Sequence, residues 1–132
     1  MTASATDTVN SFFQALGSGD MAAAMALLAT DCRWTYHGPD GVIPWAGTFT
    51  GPDGVGQFFA RFGEHAEPVE MAPQSMEAAG ATVFVRGIET SRVKATGKTY
   101  SVPWIHAIAV ADGRIASFDE YIDSAAVAAA MA

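Results

Sequence analysis

The 132-residue sequence has few cysteines, few basic residues and no long apolar segment, and each shortage excludes a class of protein. Cys32 is the only cysteine, so an intrachain disulfide is excluded and a reducing compartment is expected. Seven Lys and Arg stand against fourteen Asp and Glu, a net charge of −7, whereas nucleic-acid binding requires a positive surface. No apolar run approaches the roughly 20 residues that span a bilayer, so a membrane protein is not expected.

Several site motifs are also missing. The three histidines, His37, His65 and His106, lack the close spacing of metal ligands, and a lone cysteine has no partner for a thiolate site. The chain has no phosphate loop, nucleophile elbow or dinucleotide fingerprint. We therefore expect neither a metal nor a cofactor. The first seven residues have no basic start and no apolar core, so we expect no secretory signal and a soluble, cytoplasmic protein.

Half of the residues are hydrophobic and 11% are aromatic, a composition that predicts one folded domain over residues 1–132. Helical spacing in the first half and alternation in the second predict an α+β protein. In this prediction three N-terminal helices pack across a strongly curved antiparallel sheet. The result is a cone that is closed at one end and open at the other.

Three segments have apolar residues at helical spacing. The first follows a capping box at 4–7 and ends at Gly17, the second follows Asp20, and the third begins near Pro52 and ends before Gly63. Their apolar positions are Val9, Phe12, Phe13, Leu16, Met21, Ala24, Met25, Leu28, Val55, Phe58, Phe59 and Phe62. A short strand at 33–37 ends in a turn at 38–41, and the alanine-rich tail is either a short helix or a frayed end.

From about residue 69 the pattern alternates, with turns predicted at 95–98 and 111–114 and a last strand at 115–122. Two registers are possible across the second turn. A two-residue turn places His106 opposite Asp119, whereas a three-residue loop places Trp104 opposite Glu120 and His106 opposite Phe118. We prefer the second register because it collects these aromatic residues, His106 and Glu120 on one face.

Large side chains on the concave face of such a cone line a cavity, and an apolar cavity with a few polar groups is typical of a small-molecule site. A small hydrophobic molecule is therefore the expected partner. The candidate lining residues are Trp34, Tyr36, Trp45, Phe58, Phe62, Glu89, Trp104, His106, Phe118 and Glu120. Each aromatic residue among them has a simpler interpretation as part of the core.

Glu120 is the strongest indication of chemistry. It lies two residues after Phe118 at a core-facing position, where a carboxylate needs a partner or a raised pKa and can act as a general base or acid. In the other register it faces water beside Asp119. His106 either shares a proton with this carboxylate or is a core histidine with satisfied hydrogen bonds. Glu89, in phase with Val83 and Val85, is a second candidate carboxylate, although its position near the predicted turn at 95–98 also suits a side chain exposed to solvent.

Four segments, in this order and spacing, are spread over nearly the whole length of the chain. They are the first amphipathic helix ending in Gly-Ser-Gly-Asp at 17–20, Leu-Leu-Ala-Thr-Asp-Cys-Arg-Trp at 27–34, Trp-Ala-Gly-Thr-Phe-Thr-Gly at 45–51 running into 55–62, and Trp-Ile-His at 104–106 running through to Glu-Tyr-Ile-Asp at 120–123. The sequence thereby resembles the SnoaL-like branch of the NTF2-like superfamily, which includes ketosteroid isomerases and limonene-epoxide hydrolases. The resemblance implies the α+β cone derived above and a homodimer formed through the outer face of the sheet.

The resemblance implies different chemistry for each relative. SnoaL-type polyketide cyclases use an acidic residue on the last strand as the base for aldol ring closure, with a histidine on the preceding strand. Glu120 and His106 match these positions, with Glu in place of the usual Asp. Limonene-epoxide hydrolases use two carboxylates bridged by an arginine; Glu89 and Glu120 match the carboxylates, but Gly87 stands in the arginine's place.

Ketosteroid isomerases carry a tyrosine on the first helix and an aspartate on the first strand, where this chain has Phe12 or Phe13 and Tyr36. A steroid isomerase that uses this mechanism is therefore not expected.

Two functions of different class remain. One is an enzyme acting on a hydrophobic carbonyl compound, with Glu120 as general base, His106 tuning it, and Tyr36 or Trp104 as hydrogen-bond donor. The other is a noncatalytic module that holds an apolar ligand.

Overall fold

The structure, a computed structural model, describes residues 4–39 and 41–132. Residues 1–3, on which the expectation of no secretory signal partly depends, and Asp40, in the predicted turn at 38–41, lie outside the described residues. The four helices are α1 (Ala5–Gly17), α2 (Met21–Ala26), α3 (Gly51–His65) and α4 (Ser124–Met131). The six strands are β1 (Leu28–Tyr36), β2 (Gly47–Thr50), β3 (Ala66–Ala79), β4 (Thr82–Val93), β5 (Thr99–Ala111) and β6 (Arg114–Ile122).

The strands form one curved, unclosed sheet in the order β2-β1-β6-β5-β4-β3, which confirms the predicted α+β class. All neighbouring strands are antiparallel except β1 and β6, which run parallel. The prediction of an antiparallel sheet is thus refined at this pair. The connectivity permits a parallel pair here, because β1 and β6 are far apart in the chain and no hairpin joins them.

The predicted helices are present, with shifted ends. The capping box at Ser4 and the cap at Asp20 both form. Leu28 does not continue α2 but begins β1, where it pairs with Ile115. Gly63 does not end α3, which continues to His65. The predicted short strand at 33–37 begins earlier, at Leu28, and ends at Tyr36, so His37 lies just beyond it. The alanine-rich tail is a helix.

Neither predicted register between β5 and β6 is correct, although the face predicted by the preferred one is. Asp112 and Gly113 form a two-residue turn, both with positive φ. The ladder then shifts by one residue, so that Ala109 faces Ser117 and His106 faces Glu120. This bulge inserts one residue into β6 and reverses which side chains point inward. Because of this bulge, Trp104, His106, Phe118 and Glu120 share one face, as the register with a three-residue loop predicts.

The core lies between the concave face of the sheet and α1, α2 and α3. Alternation along β4 and β5 sends every second side chain inward, with Val83, Val85, Val102 and Ile108 fully or almost fully buried. Helix α4 packs against β5 and is tied to the β4–β5 turn by a hydrogen bond from Thr96 to a helix carbonyl. In the part of the chain that the structure describes, no helix is long and apolar enough to cross a membrane.

Candidate functional site

The concave face of the sheet and the helices enclose a cavity of about 360 Å³. Nine of the ten predicted site residues line it: Trp34, Tyr36, Phe58, Phe62, Glu89, Trp104, His106, Phe118 and Glu120. Trp45 does not. It is fully buried behind the lining, with its ring centroid 6.1 Å from that of Tyr36 and 5.2 Å from that of Phe62. Trp45 therefore supports two lining residues from the core side.

Eight further residues line the cavity that the sequence reasoning did not assign to it: Phe13, Leu16, Gly17, Met21, Phe59, Pro68, Met71 and Pro73. The helices offered a signal, because α1 and α3 each carry two adjacent phenylalanines. Phe12 is buried in the core, whereas its neighbour Phe13 reaches the cavity. The sequence offered less indication that β3 lines the cavity. Its prolines indicate only a strand at the edge of the sheet, where β3 lies.

Stacked aromatic rings hold the cavity wall in place. Trp34 and Phe118 lie on the paired strands β1 and β6, and their rings stack at 3.8 Å with an angle of 5° between planes. Trp104 stacks on the His106 imidazole at 4.0 Å, and Phe13 lies parallel to the same ring at 5.9 Å. Such packing fixes the orientation of the histidine ring without hydrogen bonds.

Glu120 and His106 face each other across β6 and β5 and are only 7% and 6% exposed. Their Oε1 and Nε2 atoms are 3.5 Å apart, and the pair does not meet hydrogen-bond geometry. Among the described residues, no hydrogen bond reaches either imidazole nitrogen or the Glu120 carboxylate. The interpretation of His106 as a core histidine with satisfied hydrogen bonds is therefore wrong.

Three hydrogen-bond donors of the lining also lack a partner among the described residues: Trp34 Nε1, Trp104 Nε1 and the Tyr36 hydroxyl. A buried polar group without a partner costs about 1–3 kcal/mol. Burial raises the pKa of Tyr36, and the negative charge of Glu120 raises it further. The phenol therefore stays protonated.

Glu89 is the second carboxyl of the lining, and it is held differently. It is 3% exposed on β4, and its Oε2 accepts hydrogen bonds from Tyr100 Oη at 2.7 Å and Ser91 Oγ at 2.8 Å. Burial raises the pKa of Glu89, and the charge of Glu120 raises it further, against the opposing effect of the two hydrogen bonds. Glu89 therefore holds a proton more readily than an exposed glutamate does, and it faces the same cavity as Glu120.

Gly87 shows why no arginine joins these two carboxyl groups. A Cβ atom at this position would lie 2.2 Å from Cζ2 of Trp104 and 2.6 Å from the carbonyl oxygen of Ala72. The indole thus occupies the space of the missing side chain. Arg86, the neighbouring arginine, lies on the outer face, where its Nε donates to Ser75. This arrangement argues against an epoxide hydrolase of the arginine-bridged type.

Taken together, the lining offers one carboxylate free to accept a proton, several neutral donors and an otherwise apolar wall. Such a set suits proton transfer on an apolar molecule that carries an acceptor oxygen. Across residues 4–39 and 41–132, no three His, Cys, Asp or Glu side chains converge as metal ligands do.

Comparisons with known proteins agree with this fold. No curated protein matches the chain in sequence. An NTF2-like protein from Burkholderia xenovorans LB400 is 33% identical, with a TM-score of 0.88 and coverage of 100% of this chain and 98% of that one. An NTF2-like protein from Burkholderia thailandensis E264 is 28% identical, with a TM-score of 0.91 and 99% of both chains covered.

A candidate SnoaL-like polyketide cyclase from Mesorhizobium loti is 20% identical, with a TM-score of 0.72 and coverage of 90% of this chain and 99% of that one. At this identity the likeness concerns the fold alone. The family model for the SnoaL-like domain matches residues 9–118, which are most of the chain and include eight of the nine predicted residues that line the cavity. The chain belongs to the SnoaL-like domain family, within the NTF2-like fold.

Proposed function

We propose that this protein is a cofactor-independent enzyme that acts on a hydrophobic carbonyl compound, with Glu120 as general base and His106 tuning it. The observation that carries this proposal is the Glu120 carboxylate, which lies in the wall of an aromatic cavity with no hydrogen bond from the described residues. Stability alone would favour a leucine at such a position. A carboxylate kept free of partners is suited to accept a proton from a bound molecule.

The reaction class follows from the groups around the carboxylate. Glu120 takes a proton from the carbon next to the carbonyl, and the electron pair of the broken C–H bond forms an enolate. Tyr36 and Trp104 line the cavity and carry donors without partners among the described residues, and these donors can stabilise the enolate oxygen once a side-chain rotation exposes them to it. The imidazole of His106 lies 3.5 Å from Glu120, close enough to change the affinity of this carboxylate for a proton. Return of the proton to another carbon gives isomerisation, and attack of the enolate on a second carbonyl gives ring closure.

The first experiment compares the wild type with Glu120→Gln, using Glu77→Gln on the exposed face of β3 as matched control. Thermal shift with polycyclic ketones, anthraquinone esters, steroids and terpene epoxides identifies a stabilising ligand. Deuterium exchange next to its carbonyl, followed by NMR, then measures proton abstraction. Because a positioned base contributes about 10²–10⁴-fold, Glu120→Gln should lose that factor and Glu77→Gln should lose none. A rate for Glu120→Gln within about threefold of wild type contradicts the proposal.

A noncatalytic module that holds an apolar ligand is the second candidate function, and the largely aromatic lining favours it. The same experiment separates the two. A binding module stabilised by a ketone would exchange no deuterium in the wild type, and Glu120→Gln would keep the ligand affinity. Substitution of Trp104 by a polar residue would then abolish binding, because this side chain forms part of the wall.

We also propose that two copies associate through the outer face of the sheet. Phe84, Ile88, Ile105 and Tyr121 are large apolar side chains exposed on the outer sides of β4, β5 and β6. Neighbouring apolar side chains on one face are typical of an interaction surface. Light scattering at micromolar concentration should give a dimer for the wild type and a monomer for Ile105→Lys. A monomeric wild type contradicts this proposal.

A further inference from the structure

Glu89 and Glu120 are two carboxyl groups of one cavity, but they differ in their hydrogen bonding. No hydrogen bond from the described residues reaches the Glu120 carboxylate, whereas Glu89 is tied to the hydroxyls of Tyr100 and Ser91. Both hydroxyls are themselves buried, because Ser91 is fully buried and Tyr100 nearly so. The three side chains form a small network whose members point inward from β4 and β5.

The network selects one oxygen of Glu89. Both hydrogen bonds end on Oε2, so the two lone pairs of this atom are occupied. Among the described residues none donates a hydrogen bond to Oε1, although Glu89 is part of the cavity wall. A proton on a neutral Glu89 therefore belongs on Oε1. From there it can meet a ligand.

The neutral form is the one that this site favours. A carboxyl group that is 3% exposed loses most of its hydration, and a second carboxylate in the same cavity opposes another negative charge. These two effects act in the same direction, and burial is the larger. Tyr100 stays a donor, since burial and the neighbouring carboxyl raise the pKa of its phenol.

We propose that Glu89 is protonated on Oε1 and donates this proton as a hydrogen bond to a carbonyl or enolate oxygen of the ligand, while Tyr100 and Ser91 act as positioning residues. This inference rests on the proposed function for the class of ligand, and it adds a division of labour between the two carboxyl groups. Glu120 accepts a proton and Glu89 supplies a hydrogen bond. The cavity then selects an apolar molecule by its acceptor oxygen.

The test uses two probes of nearly equal shape, 2-acetylnaphthalene and 2-isopropenylnaphthalene, in which a CH₂ group replaces the carbonyl oxygen. Ketone preference is the dissociation constant of 2-isopropenylnaphthalene divided by that of 2-acetylnaphthalene, both measured by fluorescence titration. We expect Glu89→Met to lower this ratio about three- to tenfold relative to wild type, because one neutral hydrogen bond is lost. Glu89→Gln should keep it within about threefold, because the amide accepts from Tyr100 and Ser91 and still donates into the cavity.

The pH dependence separates a neutral Glu89 from an ionised one. Because the pKa of Glu89 is raised, the wild-type ketone preference should be present at low pH and fall as the pH rises through that raised value. The preference of Glu89→Gln should not depend on this titration. Glu120, His106, Tyr36 and Tyr100 also face the cavity or Glu89, but both proteins share them, so their titration cancels in the comparison.

A second measurement needs no ligand. Raising the folded-state pKa of Glu89 means that its ionisation opposes folding at higher pH. Its contribution to stability is complete below the unfolded-state pKa and is lost as the pH rises through the folded-state value. The Tm of Glu89→Gln minus that of wild type should therefore grow with pH over this window. A difference that shrinks as the pH rises overturns a neutral Glu89.

Tyr100→Phe and Ser91→Ala test the positioning role, with Tyr121→Phe on the outer face as matched control. We expect the first two to reduce ketone preference and to shift the infrared carbonyl stretch of bound 2-acetylnaphthalene towards that of the free ketone. Tyr121→Phe should change neither. Equal preference in wild type and Glu89→Met, or tenfold tighter ketone binding by Glu89→Gln at every pH, overturns the proposal. These readouts are equilibrium binding, so they stand even where Glu120→Gln shows that Glu120 is not the base.

Discussion

The two faces of the same curved sheet treat their polar groups in opposite ways. On the outer face, polar side chains at the surface are paired: Thr35 with Thr48, Thr90 with Ser101, Arg86 with Ser75, Arg92 with Glu67, and His37 with Asp119. On the inner face, Trp34, Tyr36, Trp104 and His106 bury polar atoms that have no partner among the described residues. Apart from the network of Glu89, Tyr100 and Ser91, pairing is thus present where water would satisfy these groups and absent at these buried atoms of the inner face.

This contrast separates the outer face, whose polar pairs contribute to stability, from the inner face, whose unpaired buried groups reduce it. A hydrogen bond or ion pair at the surface contributes about 0–1 kcal/mol, whereas a buried polar group without a partner costs about 1–3 kcal/mol. An inner face selected for stability alone would replace these groups by apolar ones. The inner face therefore departs from what stability alone favours, as the proposed ligand site requires, and breaking the contrast residue by residue tests this view.

The largest expected effect comes from Gly87, where the inner face has no side chain. Gly87→Ala would place a Cβ atom 2.2 Å from Trp104 and 2.6 Å from a backbone oxygen, so the indole must move. We expect the free energy of unfolding to fall by about 3 kcal/mol. Urea unfolding monitored by tryptophan fluorescence measures it. Gly56→Ala, in a helix with open space around the new atom, should instead raise stability by about 0.5–1 kcal/mol.

The outcome for Gly87→Ala also bears on the cavity. A displaced Trp104 should change the near-ultraviolet circular dichroism and weaken binding of any ligand found by thermal shift. Stability equal to that of wild type would mean that the indole moves aside freely. The cavity wall could then accommodate a side chain at residue 87, and this position would no longer argue against an arginine that bridges the two carboxyl groups.

The next effect compares two inward-facing tyrosines by the same change. The Tyr36 hydroxyl has no partner among the described residues, so Tyr36→Phe should raise the free energy of unfolding by about 1 kcal/mol. The Tyr100 hydroxyl donates to Glu89, so Tyr100→Phe should lower it by about 1 kcal/mol. Urea unfolding at one pH measures both. Losses of equal size would show that Tyr36 is also satisfied, and the contrast between the faces would weaken.

Much of the site could be predicted from the sequence because alternation along a strand fixes which of its residues share a face. His106 and Glu120 are predicted on one face by the register that collects the aromatic residues there, and the structure places both in the cavity wall. Their direct pairing was missed because it depends on a bulge in β6, near Ala116, and alanine carries no signature of a bulge. Local pattern therefore predicted the face, whereas tertiary packing decided the partner.

Non-local features of the fold were harder to predict. The parallel pairing of β1 with β6 joins strands that lie far apart in the chain, and no turn between them indicates its direction. Trp45 belongs to the same aromatic pattern as the lining residues, but only the packing of α3 places it behind the wall. Phe13 and Phe59 were recognised as apolar helix positions, yet the width of the cavity decides that they reach it.

The smallest effect is expected on the outer face, from the ion pair of Arg92 and Glu67. Their Nε and Oε1 atoms are 2.8 Å apart, a better geometry than that of His106 and Glu120, but the side chains are 42% and 51% exposed. A double-mutant cycle with Arg92→Ala and Glu67→Ala should give a coupling of about 0.2–1 kcal/mol that declines in about 1 M salt. A coupling well above 1 kcal/mol that persists in salt would mean that contact geometry, rather than access to water, sets the value of a polar pair. The unpaired groups of the cavity would then need another explanation, because their burial is what makes them costly.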